Sequence, residues 1–195
     1  MKEELQKIES DIRAFVRLAY PAMEVRAEYR KDDPTRIALY FIDERFRSLY
    51  RRQRYHYLLH LIPKKYYDEK LTDTIWFELA PDEVPEEMED EPDDELIKEI
   101  ASDVIGTLHL KGFFNTLDHI LHPLNSQVQL QTCSGDFNQS KCALTLCGID
   151  RQDWSEIFHV LMSRGAYCDC EVLFNAAPES RMRGDHWLNA AKVGN

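Results

Sequence analysis

The stretch PDEVPEEMEDEPDDE, residues 81–95, constrains this chain more than any other. Ten carboxylates and three prolines leave only Val84 and Met88 to bury. Like charges repel and extend such a segment, and each proline removes a backbone donor, so no core can run through it. The chain must therefore fold in two parts, and its 195 residues are enough for both. The expected division is an α+β domain over 1–85, an acidic linker over 86–95 and a mostly helical domain over 96–195.

The formal net charge of −11 is a local property. Residues 1–80 carry 16 Lys and Arg against 14 Asp and Glu, whereas residues 81–99 carry 11 acids and a single lysine. Neither half is strongly basic, so bulk charge gives no argument for nucleic acid. No apolar run approaches the ~18 residues that span a bilayer. The opening MKEELQKIES is charged and amphipathic and does not read as a secretory signal. Five cysteines, an odd number crowded into residues 133–170, fit free or metal-bound thiols better than a disulfide framework. A cytoplasmic location is expected.

Within 1–85 the periodicity changes in a fixed order. Leu5, Ile8, Ile12, Phe15 and Val16 recur at helical spacing and predict a helix ending before Pro21. AMEVRAEYR (22–30) and RIALYFID (36–43) alternate and predict two strands across the turn KDDPT. Helical spacing returns from about Ser48 to Leu61 and closes at Pro63. KKYYDEKL reads as a short helix and TIWFEL (74–79) as a third strand. The predicted order is αββααβ. In the second part, DELIKEIASDVIGTLHL, NTLDHILHPL, residues 138–147 and residues 149–165 read as helices. Asp150 is the expected N-cap of the last and Gly165 its expected C′ residue. CEVLF (170–174) reads as a buried strand, and MRGDHWLNAAKVGN as a terminal helix or a tail.

On a strand, Cys168 and Cys170 of the stretch GAYCDCEVLFN would share one face. Both thiolates could then reach one ion, with Cys133 as a third ligand, and zinc is the ion such donors would take. Packing is the competing explanation, because cysteine behaves as a small buried hydrophobe. Redox chemistry needs a thiolate stabilised by a cation or helix N-terminus, and Asp169 and Glu171 push the other way. His159 is a lone histidine on an amphipathic helix and no nucleophile elbow, P-loop or zinc-protease motif accompanies it. The chain reads as non-enzymatic.

Residues 3–88 resemble the BolA family in RIALYFID, in the loop with Phe46, in the helix opening RRQRYHYLLHLIP and in TIWFELAPDEVPEE. The resemblance implies a class II KH-like fold. It places Arg52-Gln53-Arg54 on the family's Arg-His-Arg motif, so the histidine that serves an iron–sulfur cluster shared with monothiol glutaredoxins is replaced by Gln53. That replacement argues against the cluster here. Residues 130–176 resemble a small bacterial domain family of unknown function. The resemblance rests on Cys133-Ser-Gly-Asp136-Phe137 and on Gly165-Ala-Tyr167-Cys168-Asp-Cys170-Glu171-Val172-Leu173, with Gly135 standing where that family often has histidine.

Three functions follow as expectations. The first is a binding or regulatory protein whose protein partner meets the basic helix at Arg51, Arg52, Arg54 and His56. The second is a metal- or iron–sulfur-linked redox or regulatory protein using Cys133, Cys168 and Cys170. The third is a nucleic-acid binder, since basic residues interleaved with aromatics suit phosphate contact and stacking.

Overall fold

The computed structural model describes residues 2–85, 92–121 and 133–177. The chain forms two compact units, Met1–Glu91 and Pro92–Asn195. Among the described residues no helix is long and apolar enough to cross a membrane.

The first unit is α+β. Helix α1 (Lys2–Val16) is followed by strands β1 (Glu24–Tyr29) and β2 (Ile37–Ile42), a 3₁₀ turn (Glu44–Ser48), helices α2 (Arg51–Leu61) and α3 (Lys64–Lys70), and strand β3 (Ile75–Leu79). The sheet order is β1-β2-β3. β1 pairs antiparallel with β2, and β2 pairs parallel with β3, so α2 and α3 form the crossover that a parallel pair requires. The alternation that predicts the strands also sets their register: Val25 lies opposite Phe41, and Leu39 lies between Ala27 and Trp76. These side chains face Ile8, Ile12 and Val16 of α1 and Leu58 of α2 in one apolar core. Fully burying such a side chain contributes about 1.5–3 kcal/mol, and Ile12, Leu39, Phe41, Phe46 and Leu58 are completely buried.

The second unit is helical: α4 (Asp94–Leu110), α5 (Phe113–Leu121), α6 (Asn138–Leu146), a 3₁₀ turn (Arg151–Asp153) and α7 (Trp154–Ser163). Asp93 caps α4 by accepting from the Glu95 amide at 2.9 Å. Asp150 accepts from the Gln152 amide at 3.2 Å and opens the 3₁₀ turn that leads into α7. α7 ends in a Schellman turn: the Gly165 amide donates to the Met162 carbonyl at 2.9 Å and the Ala166 amide to Leu161 at 3.0 Å. Gly165 itself has φ +81°, a conformation that favours glycine. Phe137 stacks on Phe158, with centroids 4.5 Å apart, and joins the start of α6 to α7.

The expected strand at CEVLF does not form. Residues Asp169–Glu171 make a helical turn, α8, which continues as a π turn over Val172–Ala176. Val172, Leu173 and Ala176 are buried, so the apolar run does enter the core, but at helical spacing. A short apolar run has no periodicity that separates a buried strand from a buried helix. Glu171 tips the balance locally: its carboxylate accepts from the Tyr167 amide at 2.7 Å and holds the turn closed. The terminal helix expected after residue 180 lies outside the described residues, as do residues 86–91 of the linker.

Candidate thiol site

Two segments of the second unit, 133–140 and 165–175, are tied together by carboxylates. Asp136 accepts from Ser134 Oγ (2.7 Å), from the Asn138 amide (3.1 Å) and from Asn138 Nδ2 (2.6 Å), which folds the chain just after Cys133. The Asp169 amide donates to the Asp136 carbonyl at 3.0 Å. The Asp169 carboxylate, 3% exposed, accepts from the Gln139 amide (2.9 Å), the Ser140 amide (2.7 Å) and Ser140 Oγ (2.5 Å). It therefore caps the first turn of α6 from a distant part of the chain. Burial raises the Asp169 pKa above the ordinary carboxylate value, against the lowering effect of these hydrogen bonds. Downstream, Asn175 Nδ2 donates to the Gly165 carbonyl at 2.5 Å and closes the signature stretch on itself.

These ties bring Cys133 to Cys168 and Cys170. Each of the three thiols perturbs the proton affinity of the other two. Cys133 is drawn far below the ordinary thiol range, first by the thiols of Cys168 and Cys170 and then by the backbone amides of Gly135 and Cys170, against its partial burial. Cys168, at the N-cap of α8 and buried, is pushed up because it shares protons with Cys133 and Cys170 and because it is desolvated. Cys170 is pushed up to about 11, chiefly by Cys133. Asp169 and Glu171 act on the thiols more weakly than the thiols act on each other. Among the described residues, no three or more His, Cys, Asp or Glu side chains are spread in a metal-holding arrangement.

Cys142 is exposed and Cys147 half-buried; the Cys147 thiol donates to Thr116 Oγ1 at 3.6 Å. His159 is 6% exposed, and its Nδ1–H donates to the Ser155 carbonyl of its own helix at 2.7 Å, a core position.

The basic helix differs from its expected surface role at one residue. Arg54 is not on the surface: its side chain is 9% exposed. Its Nε donates to the Leu49 carbonyl (3.0 Å), Nη1 to the Glu78 carbonyl (2.7 Å) and to Glu83 (2.5 Å), and Nη2 to Glu83 (2.9 Å). The guanidinium also lies 5.8 Å over the Phe46 ring. Gln53 is 1% exposed and accepts from the Tyr50 amide at 2.9 Å, so it caps α2. Arg51 is exposed, while Arg52 and His56 are half-buried. The first acids after β3 take up basic charge: Glu83 holds Arg54, and Asp82 with Glu44 brackets Arg47.

Sequence reasoning named Cys133, Cys168 and Cys170 together as candidate ligands and gave no role to the carboxylates that tie their segments. Asp169 reads in sequence as a charge that disturbs its cysteine neighbours. Its alternation with them, Cys-Asp-Cys, was the available signal, because a buried acid in a cysteine-rich, apolar run needs a partner of its own.

Residues 120–175, which enclose all three cysteines, match a family described as protein of unknown function (DUF2695). The C-terminal part thus holds a small domain of unknown function. No curated protein and no solved structure matches this chain.

Proposed function

We propose that the second unit binds a thiophilic metal ion through Cys133, Cys168 and Cys170, and that the chain is a non-enzymatic binding or regulatory protein built around that site. The observation that carries this reading is the proximity of three thiols from segments 35 residues apart, counted from Cys133 to Cys168; they are not already set as a metal-holding group, so binding requires the side chains to turn towards a common ion. Three neighbouring sulfurs are a soft donor set, and a metal that displaces their protons offsets the mutual repulsion of the thiolates. Backbone amides already directed at the sulfurs of Cys133 and Cys168 support negative charge there, as outer hydrogen bonds do around thiolate ligands. Zinc is the ion of first expectation, with solvent or a further donor completing four-coordination.

The αββααβ order and the mixed sheet support a BolA-like, KH-like scaffold for the first unit. Its position 53 is occupied by a buried cap, so no cluster ligand is proposed there. A protein partner, in this reading, meets the side of α2 that carries exposed Arg51 rather than Arg54. The free thiols fit a reducing bacterial cytoplasm.

The test is metal content of the full chain, purified untagged and anaerobically without chelator, followed by cobalt(II) substitution. About one zinc per chain and a sulfur-to-cobalt charge-transfer band, weakened in Cys133→Ser, are expected. A ratio near zero together with no such band overturns the metal reading and leaves the three thiols as core.

A further inference from the structure

α2 carries a second set of donors that the thiol site does not use. Residues four apart on a helix lie one above the other on the same face. His56 and His60 meet this condition, and their ring centroids are 4.2 Å apart. The Nδ1 of His60 is 2.8 Å from the His56 carbonyl oxygen. A carbonyl only accepts, so Nδ1 carries the proton and Nε2 of the neutral ring holds the lone pair. His60 is exposed, and His56 is half-buried.

We propose that His56 and His60 form a two-imidazole chelating site for a divalent transition-metal ion of borderline softness, such as nickel(II), copper(II) or zinc(II). Imidazole suits these ions, and helical i,i+4 spacing is the one by which two histidines on a helix hold zinc in metalloproteases. Water fills the remaining positions. The donors are nitrogen on the first unit, whereas the thiol site is sulfur on the second. The two sites therefore differ in metal preference and stand or fall separately. Copper(II) is expected to bind the imidazole pair more tightly than nickel(II), and nickel(II) more tightly than cobalt(II).

The competing explanation is that His60 serves only to cap its own helix. Nickel(II) distinguishes the two. The full chain is titrated with nickel(II) chloride and followed by NMR of the ring protons of its seven histidines. Selective paramagnetic broadening of His56 and His60 is expected at the lowest nickel ratios. By calorimetry, His60→Gln, which keeps a polar side chain at an exposed position, weakens nickel affinity by at least about tenfold. Cys133→Ser leaves that site unchanged. Uniform broadening of all the histidines, unaltered affinity in His60→Gln, or loss of the nickel site in Cys133→Ser alone overturns the assignment. The broadening pattern in the unaltered chain decides the matter even if His60→Gln folds poorly.

Discussion

Arg54, buried, and Cys133, exposed, are both polar groups brought into contact with distant segments, and they end in opposite conditions. Arg54 meets two backbone carbonyls and both oxygens of Glu83, so its donors are matched to acceptors of a different kind. Cys133 lies beside two further thiols, groups of its own kind, that shift its proton affinity. The difference teaches how to separate scaffold from site. A buried ionic group with complementary partners is spent on holding the fold, and its interaction is complete. A cluster of like, proton-sharing donors is complete only when something replaces the protons.

The comparison is most sharply tested at the two buried charges. The largest effect is expected for Asp169→Ala, which removes three hydrogen bonds and the cap of α6 at once. It should cost the second unit about 3 kcal/mol in urea unfolding and disperse the thiols. A loss below about 1 kcal/mol would show that Asp169 is not the tie. Arg54→Met comes next. It strands Glu83 and two carbonyls and should cost the first unit about 2–3 kcal/mol, the lower end for a broken buried pair because Glu83 is partly solvated. The double variant Arg54→Met/Glu83→Gln should recover part of that loss. No recovery would mean that the carbonyl contacts, rather than the ion pair, carry the role.

The smallest effect is a pH dependence. His56 has a native pKa of about 4, below its ordinary value of 6.5, through burial and the neighbouring His60. The unfolded chain therefore binds a proton that the native chain refuses. The stability owed to neutral His56 is intact above pH 6.5 and is lost as pH falls from 6.5 towards 4. His56→Asn should flatten the first unit's stability across that window in urea titrations. An unchanged slope would remove His56 as the cause, and Asp43 and Glu83, both held low by arginines, would then be examined below that range.

How much of this was legible in the sequence depended on which physical signal each segment carried. β1 and β2 are legible because alternation fixes both state and buried face, and α1 and α7 because their apolar residues repeat at helical spacing. CEVLF carried neither signal. Five residues, mostly apolar, satisfy a buried strand and a buried turn of helix equally, and the Tyr167–Glu171 bond that decides between them is a tertiary detail of one loop. The meeting of Cys168 with Cys170 was inferred from strand geometry, yet it arises at a helix N-terminus. Cys133 could be suggested from composition but joined to them only through Asp136 and Asp169, whose long-range bonds leave no periodic trace. Arg54 was misplaced for the mirror reason: a basic residue among basic residues reads as surface until Glu83 is seen beside it.

The parallel pairing of β2 with β3 has a consequence in time. Ala38 meets Ile75 only after all of α2 and α3 has been laid down between them, whereas β1 and β2 close across a short turn. Loop closure of that length delays β3 in the order of events, because the entropy is lost before the contacts form. The Arg54 clamp reaches the carbonyl of Glu78 on β3 and Glu83 just beyond it, so it can engage only once that last strand has docked. Interactions made after the rate-limiting step slow escape from the native state without hastening arrival. Arg54 thus acts as a latch on the finished first unit, governing how long it stays folded rather than how quickly it gets there.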